Sequence, residues 1–152
     1  MTPERDQSHM LRALAEAEAA AARGEVPVGA VIAGPDGAVL AAASNRTREL
    51  SDPTAHAELL AIRAACAILS MERLTGCDLY VTLEPCPMCA TAISFARIRR
   101  LYYGASDPKG GGVEHGPRIF SQPTCHHAPD IYSGIGEADA SLILKAFFQA
   151  KR

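Results

Sequence analysis

The amino-acid sequence predicts an α/β domain in which helices cover one central sheet. Short apolar runs of strand length alternate along the chain with longer segments of helical periodicity, and turn-forming residues separate them. This alternation is typical of layered α/β folds. The length of 152 residues suits one domain spanning residues 1–152. With 48% hydrophobic and 21% charged residues, the composition is that of an ordinary globular protein.

The first half of the chain predicts a helix, a hairpin and a second helix. Residues 6–23 are rich in Ala, Leu and Glu and are followed by Gly24, which suits a helix end. "VPVGAVIA" and "AVLAAAS" flank the turn "GPDG", so they predict a β-hairpin. "AHAELLAIRAACAIL" has helical periodicity. Its predicted apolar stripe consists of Leu59, Ile62, Cys66 and Leu69.

The second half predicts two more strands and two more helices. "DLYVTL" indicates a buried strand, "PMCATAISFARI" a helix, "RRLYYGA" a strand and "SDPKGGGVEHGP" a loop. The last helix is predicted from about Glu137 to Ala150. At the helix that begins near "AHAE", Thr54 or Asp52 could cap the N-terminus, and at the next helix Pro85 and Pro87 suit the entry.

Composition argues against several classes of protein. No run approaches the roughly 20 apolar residues that a membrane-spanning helix needs. The first ten residues lack a basic region that leads into an apolar one, so we expect a cytoplasmic protein that does not bind membranes. An odd count of five cysteines argues against a disulfide framework and leaves thiols free for a metal or for catalysis.

Charge gives only a local indication of a partner. The net charge of −2 does not suggest a nucleic-acid-binding protein, but residues 97–118 hold five basic and two acidic side chains. The chain also ends in "KAFFQAKR", two aromatic residues followed by two bases. A solvated helix end and a modest RNA-binding surface both fit this pattern.

A Cys-x-x-Cys pair stands where a predicted strand enters a predicted helix. Cys86 and Cys89 are three residues apart, so in a first helical turn their side chains lie on one face, as a shared metal requires. The positive end of the helix dipole is expected to lower the pKa of both thiols. His56 offers a third ligand, and Cys₂His with an open fourth position is typical of catalytic zinc. Glu58 is the natural general acid/base beside that site.

Two other interpretations of this pair stay open. A thioredoxin-like redox couple also places Cys-x-x-Cys at a strand-to-helix junction, although it leaves His56 and Glu58 without a role. A structural site with four ligands would form if Cys125, His126 or His127 joined the other three.

Two motifs together resemble a known superfamily. His56-Ala57-Glu58, followed by Pro85-Cys86-Pro87-Met88-Cys89, is similar to the signature of the zinc-dependent cytidine deaminase superfamily. Within it, "EVPVGAVI", "SNRT", "DPTAHAELLAIRAAC", "DLYVTLEPCPMC" and "SDPKGG" resemble the bacterial tRNA-specific adenosine deaminases over nearly the whole chain. The resemblance implies a three-layer, cytidine deaminase-like fold with a five-stranded mixed sheet. It also implies a homodimer that converts the wobble adenosine, position 34, of arginine tRNA to inosine in the anticodon loop.

The resemblance also assigns roles to individual residues. His56, Cys86 and Cys89 would bind one Zn²⁺ per subunit, and Glu58 would shuttle protons. The flipped-out base would be held by Asn45, and the neighbouring ribose would meet Asp107. The remaining substrate contacts would come from Lys109 and from the Phe147–Phe148 end, with Phe148 lining the RNA channel. At least one of these two phenylalanines is expected to lie in the core.

The chain departs from the common family pattern in residues 111–128, which differ from the short stretch usual after "DPKGG". Two other functions therefore remain as alternatives. "EPCPMC" also looks like the guanine deaminase form, so the substrate could be a free base or nucleoside, such as guanine or cytosine. A zinc- or RNA-binding module without catalysis is a further alternative, although such a module has no use for Glu58.

Overall fold

The structure, a computed structural model, describes residues 3–151. Four α-helices, five strands and one 3₁₀ turn follow one another along the chain. They are α1 (Pro3–Ala22), β1 (Gly29–Ala33), β2 (Val39–Ser44), α2 (Ala57–Leu69), β3 (Asp78–Leu83), α3 (Pro87–Ala96), β4 (Arg100–Ala105), the 3₁₀ turn Ile119–Ser121, β5 (Asp130–Ser133) and α4 (Glu137–Ala150). Within the described residues, no helix has the length and apolarity needed to span a membrane.

The five strands form one mixed sheet in the order β2-β1-β3-β4-β5. β1 runs antiparallel to both of its neighbours, whereas β3, β4 and β5 run parallel to one another. The predicted hairpin, the predicted central strands and the five-stranded mixed sheet are confirmed. β5 was not predicted from the residue pattern, because all four of its residues are exposed and none alternates between core and solvent.

Helices cover both faces of the sheet, which gives the predicted three layers. Side chains alternate along β1, so Ala30 and Ile32 pack in one core with α2 and α3, and Val31 and Ala33 pack in the other with α1 and α4. Two buried clusters of apolar side chains therefore flank the sheet, and they have no member in common.

Three sequence predictions about the helices need correction. Of the predicted apolar stripe on α2, Ile62 is buried, whereas Leu59, Cys66 and Leu69 are only partly buried; the other buried apolar residues of the helix are the small residues Ala57, Ala61 and Ala65. Small residues bring the helix close to the sheet, and larger neighbours such as Leu59 lie at the edge of the contact. Helix α3 ends at Ala96, two residues before the predicted end, because Arg97 adopts a left-handed conformation with φ of 61°. The first helix begins at Pro3, three residues before its predicted start.

The strand directions decide where a site can form. Because β1 is antiparallel to both neighbours, β2, β3 and β4 point the same way and their carboxyl ends meet at one edge of the sheet. Asn45 directly follows β2, Glu84 directly follows β3, and Asp107 lies two residues after β4. This edge is where open α/β sheets place their ligands.

Candidate active site

Two helix N-termini converge at this edge and bring the predicted metal ligands together. His56 is the N-cap residue of α2, Cys86 is the N-cap residue of α3, and Cys89 lies in the first turn of α3. Pro87 occupies the first helical position after Cys86, as predicted, where its fixed φ and missing N–H cost nothing. Cys89 is buried, and the other two ligands are partly exposed.

The spacing of the three ligand atoms fits a tetrahedral zinc site. The Nδ1 atom of His56 lies 3.6 Å from the Sγ atom of Cys86 and 3.6 Å from the Sγ atom of Cys89. Zn–S bonds of about 2.3 Å and a Zn–N bond of about 2.05 Å at the tetrahedral angle give an N···S separation of about 3.6 Å. Within residues 3–151 these three residues are the one His, Cys, Asp or Glu cluster with this geometry. The structure therefore brings the three predicted ligands together in a group that could hold one metal ion.

The two thiols do not ionise alike, contrary to the expectation that both pKa values fall. The pKa of Cys86 is lowered to about 4, because its thiolate accepts hydrogen bonds from the Cys89 thiol and from His56. The same hydrogen bond to Cys86, together with burial, raises the pKa of Cys89. The pKa of His56 is raised by its hydrogen bond to Cys86. The protein alone therefore stabilises one thiolate, and the second proton must leave when a metal takes both sulfurs.

Glu58 is the second residue of α2 and its side chain is buried, with only 4% of the residue exposed. Burial and, to a smaller extent, the negative charge of the Cys86 thiolate raise the pKa of its carboxyl to about 7. A general acid/base works best when its pKa lies near the working pH. Its position beside the ligands and this pKa suit the predicted role in proton transfer.

A cavity of about 270 Å³ opens beside the ligands and brings the predicted groups together. Asn45, His56, Glu58, Cys86 and Asp107 all line it. The apolar part of its wall comes from side chains of β3 and of the segment before β1: Val26, Val28 and Leu83. A small pocket with apolar walls and a few convergent polar groups is the usual form of an active site.

Asn45 connects this cavity to helix α2. Its Oδ1 atom accepts a hydrogen bond from the backbone N–H of Ala57, 3.0 Å away. This contact replaces the predicted cap, because Asp52 accepts hydrogen bonds from the backbone and hydroxyl of Thr54 and neither side chain reaches the helix. The carboxamide nitrogen of Asn45 bonds to no protein group within residues 3–151, so it remains a donor for a ligand.

The other predicted substrate residues differ in where they lie. Asp107 lines the cavity, and its Oδ1 atom accepts the backbone N–H groups of Lys109 and Gly110. Lys109 is exposed on the same loop but does not line the cavity. Phe148 is 50% exposed on α4, and neither it nor Phe147 belongs to the buried core, so the expectation of a core phenylalanine is wrong. Its ring contacts that of Phe147 and not the cavity.

Part of the predicted basic surface is already used within the protein. The Arg99 guanidinium makes two hydrogen bonds, of 3.0 and 2.9 Å, to the carboxylate of Asp78. Arg97 donates to the backbone carbonyl of Ser94, 3.1 Å away. The ammonium of Lys151 stands 5.2 Å from the centre of the Phe147 ring. Of the five basic residues in 97–118, Lys109 and Arg118 are exposed, and the other three are partly buried.

The alternative with a fourth protein ligand is not supported. Cys125 contacts the Ser94 hydroxyl and donates to the carbonyl of His127, and the ring Nε2 atom of His127 lies 2.7 Å from the carbonyl of Ile98. Ser94 lies five residues after Cys89, about 7.5 Å along α3 at 1.5 Å per residue. The redox alternative is weakened too, because both sulfurs of the pair face His56 and all five cysteines are free thiols.

Sequence reasoning gave Glu84 no role, although it lines the cavity and its side chain is fully buried. The sequence does contain an indication: in "TLEPC" the carboxylate stands directly between a predicted buried strand and the predicted metal-ligand segment, so it is expected to be buried. A buried carboxylate requires hydrogen-bond donors around it.

Comparison with known proteins agrees with the geometry of the site. Residues 3–105 match the family described as the cytidine and deoxycytidylate deaminase zinc-binding region. A tRNA-specific adenosine deaminase of Agrobacterium fabrum is 64% identical over 148 residues, which cover 97% of this chain and 97% of the relative. One of Rickettsia bellii is 47% identical over 144 residues, covering 94% and 99%.

A solved structure from a study of A-to-I editing by tRNA:A34 deaminases at the wobble position of transfer RNA superposes with a TM-score of 0.89. It is 66% identical in sequence, and the match covers 90% of this chain and 99% of the other. By sequence and by structure, this chain belongs to the tRNA-specific adenosine deaminases of the cytidine and deoxycytidylate deaminase zinc-binding family.

Proposed function

We propose that the chain catalyses the hydrolytic deamination of the wobble adenosine, position 34, of arginine tRNA to inosine. The observation that carries the proposal is the placement of Glu58, a buried carboxyl with a pKa of about 7, in the same cavity as the His56-Cys86-Cys89 cluster and Asn45. A non-catalytic zinc module would have no use for a carboxyl in this position. Relatives that are 64% and 47% identical to this chain carry the name tRNA-specific adenosine deaminase.

The chemistry divides between a metal and the side chains of the protein. Zinc held by His56, Cys86 and Cys89 would act as a Lewis acid and lower the pKa of a bound water toward about 7. The Glu58 carboxylate takes a proton from the attacking water and delivers it to N1 of adenine. The carboxylate then takes the second proton of that water, from the hydroxyl now on C6, and delivers it to the leaving amine as the C6–N6 bond breaks. Water and adenosine thus give inosine and ammonia, and Glu58 ends in its starting state.

Substrate recognition is proposed to begin with Asn45. Its oxygen is committed to Ala57, so the free amide nitrogen is the group that meets an acceptor on the base. Asp107, across the cavity, is proposed to contact the ribose next to the base. Lys109 and Phe148 are proposed to meet the RNA outside the cavity, Lys109 through phosphate and Phe148 by stacking.

The size of the cavity suits a single base presented by a larger substrate. At about 270 Å³ it is smaller than the roughly 300–1,000 Å³ of pockets that enclose a drug-sized ligand. A flipped base can enter while the rest of the RNA stays on the surface. Extrusion costs a few kcal/mol, and it costs least where the base is already unpaired, as in an anticodon loop.

The remaining parts of the proposal concern the whole protein. We propose that residues 1–152 form a single deaminase domain that works in the cytoplasm as a homodimer. The homodimer is what the resemblance to the tRNA-specific adenosine deaminases implies. Sedimentation equilibrium of the zinc-loaded protein should give about twice the chain mass of 16.1 kDa. A monomer at micromolar concentration would exclude the dimer.

The decisive experiment is a deamination assay on the purified, zinc-loaded chain. It compares an anticodon stem-loop of arginine tRNA with free guanine, cytosine, adenosine and cytidine. We expect inosine only at the wobble position, and no product from the same stem-loop with the wobble adenosine replaced by guanosine. Ammonia released from a free base or nucleoside, with the RNA unchanged, would replace the proposal with a small-molecule deaminase. The Glu58→Gln variant serves as the blank.

A further inference from the structure

Glu84 is a buried carboxylate at the junction of the site. It directly follows β3, two residues before the ligand Cys86, and no part of its side chain is exposed. Its backbone N–H donates to the carbonyl of Ala105, at the end of β4. The side chain turns away from this pairing toward residues 107–115, termed the 107–115 loop below.

Five N–H groups of the 107–115 loop point at this one carboxylate. Oε1 accepts the backbone N–H of Asp107 at 3.0 Å and lies 2.7 Å from the ring Nδ1 atom of His115. Oε2 accepts three successive backbone N–H groups at 3.0–3.2 Å, those of Val113, Glu114 and His115. A carboxylate offers about four lone-pair positions, so its hydrogen-bonding capacity is filled by the loop.

Two glycines allow the loop to approach this closely. A Cβ atom on Gly111 would lie 2.4 Å from Oε2 of Glu84 and 2.5 Å from the carbonyl oxygen of Asp107. A Cβ atom on Gly112 would lie 2.6 Å from the nitrogen of Pro87, and the N–H of Gly112 donates to the carbonyl of Pro85. The loop thus closes on Glu84 and on the metal-ligand segment together.

From this geometry we infer that Glu84 is a positioning residue that holds the 107–115 loop, and with it Asp107, in place for the substrate. The inference rests on the proposed function, because it gives a purpose to the position of Asp107. Oε1 of Glu84 fixes the backbone of Asp107, and the Asp107 carboxylate in turn accepts the next N–H groups of the loop. The hydrogen bonds of the Glu84 carboxylate are all made to the loop, so the carboxylate acts through Asp107 and not on the reacting atoms.

The chemistry of the five donors makes Glu84→Gln a sharp test. Glutamine has nearly the same shape, but one of its two terminal groups is an NH₂ donor. Because both oxygens of Glu84 accept backbone N–H groups, either orientation of the amide places its NH₂ group against at least one backbone N–H. Glu84→Asp keeps two acceptor oxygens on a shorter side chain. The loop should therefore loosen strongly in the glutamine variant and less in the aspartate variant.

The experiment measures steady-state deamination of the anticodon stem-loop, zinc content and backbone amide exchange by NMR. For Glu84→Gln we expect KM to rise about tenfold or more, since hydrogen bonds to a charged group are lost, while kcat falls less than threefold. Zinc should stay near one per chain, and the amides of residues 107–115 should exchange faster. Glu84→Asp should partly restore KM. The matched control is Glu16→Gln, which changes an exposed pair with Arg12 on α1.

Several results would overturn the inference. An unchanged KM with a faster-exchanging loop would show that the loop does not position substrate. If exchange becomes faster at all amides alike, and kcat and zinc content fall together, Glu84 only supports the fold. If Glu84→Gln does not fold, His115→Ala removes one of the five donors at a side chain that is 36% exposed. It should raise KM by a smaller factor and speed exchange at residues 113–115, and no change in either would reject the inference.

Failure of the proposed function would look different. A wild-type chain that leaves the RNA untouched but deaminates a free base would refute the tRNA substrate. The Glu84 variants would then be compared with wild type on that base. The same KM shift would support positioning by Glu84 there, and its absence would reject it.

Discussion

The Oδ1 atom of Asn45 accepts the backbone N–H of Ala57, the residue between the predicted zinc ligand His56 and the proposed proton carrier Glu58. One side chain therefore fixes the start of helix α2 and presents its amide nitrogen to the cavity. Because the oxygen is bonded to a donor, the orientation of the carboxamide follows from the hydrogen bond. The residue that is proposed to hold the base is thus placed by the same helix that carries the chemistry.

Asn45→Asp should separate these two roles. Aspartate keeps an acceptor for the N–H of Ala57, and a negative charge at a helix N-terminus is favourable by about 0.3–1 kcal/mol, so stability should change little. It has no N–H to offer to the base, so kcat/KM on the stem-loop should fall at least tenfold. Asn45→Ala, which leaves a buried N–H unpaired, should also lower the free energy of unfolding by about 1–3 kcal/mol. Full activity in the aspartate variant would remove the amide donor from the mechanism.

Glu58→Gln should keep zinc and lose activity. The amide nearly preserves the shape of the carboxyl but cannot carry a proton, so kcat should fall by at least ~10²-fold, the low end for general acid–base catalysis. Glu58→Ala should behave in the same way, with zinc content near one per chain. The test measures zinc content by atomic absorption and turnover on the stem-loop in the same preparation. Retained turnover in the zinc-loaded variant would contradict the assignment of Glu58.

Cys125→Ser should leave the metal content unchanged. Cys125 contacts Ser94 and the carbonyl of His127 near the C-terminal end of α3, away from the ligands in its first turn. Serine can make the same hydrogen bonds. We expect one zinc per chain in this variant and much less than one in the control Cys89→Ser. A loss of zinc from Cys125→Ser would instead favour a site with four protein ligands.

The sequence was most informative where local pattern and chemistry coincide. The last helix is predicted at its observed bounds of Glu137–Ala150, and the sequence predicts as metal ligands the three residues that the structure brings together, because a metal restricts residue type and spacing. The position of a helix N-terminus behind each ligand was also predictable. The ligand types and their spacing within a helical turn can be read from a short stretch of sequence.

Features that depend on distant contacts were not predictable in this way. β5 is four exposed residues, and it is a strand only because β4, some 30 residues earlier, offers a parallel edge. The cap on α2 comes from Asn45, twelve residues before Ala57, and not from the nearby Thr54 and Asp52. Glu84 meets the 107–115 loop across more than twenty residues of sequence, so no short pattern could pair them.

Stability should fall in alkaline solution because of the stacked tyrosines between β3 and β4. Burial and a hydrogen bond to Asp6 raise the pKa of Tyr80 far above its usual range, and burial raises the pKa of Tyr102 to about 12. An unfolded tyrosine titrates near 10, so this stability is fully present below pH 10 and is lost as the pH rises above it. Above pH 10, where the unfolded tyrosine ionises and the folded one stays neutral, the free energy of unfolding falls by at most about 1.4 kcal/mol per pH unit for each tyrosine.

The Tyr80→Phe variant tests whether stability is lost above pH 10 because of the buried tyrosine. The variant keeps the ring stack with Tyr102, at a centroid distance of 4.5 Å, and loses only the hydroxyl. It should be about 1 kcal/mol less stable at pH 8, where it loses the hydrogen bond to Asp6. Between pH 10 and 12 its free energy of unfolding should fall less steeply than that of the wild type. Urea unfolding at pH 8, 10 and 11 measures the free energy of unfolding of the variant and of the wild type. If the two free energies fall equally steeply above pH 10, the prediction is wrong.

Gly112→Ala should lower the affinity for zinc, because the added Cβ atom would collide with the backbone of Cys86 and Pro87. A Cβ atom at this position would lie 2.6 Å from the nitrogen and 2.7 Å from the Cα atom of Pro87, and 2.9 Å from the carbonyl carbon of Cys86. Backbone atoms cannot rotate away, so either the loop or the ligand Cys86 must move, at a cost of about 1–3 kcal/mol. If Cys86 moves, zinc affinity should fall about tenfold or more, measured by competition with a chelator. The matched control is Gly34→Ala, where the nearest atoms are 3.4 Å away and nothing needs to shift. Wild-type stability and zinc affinity in Gly112→Ala would mean that the loop does not rest on the metal-ligand segment.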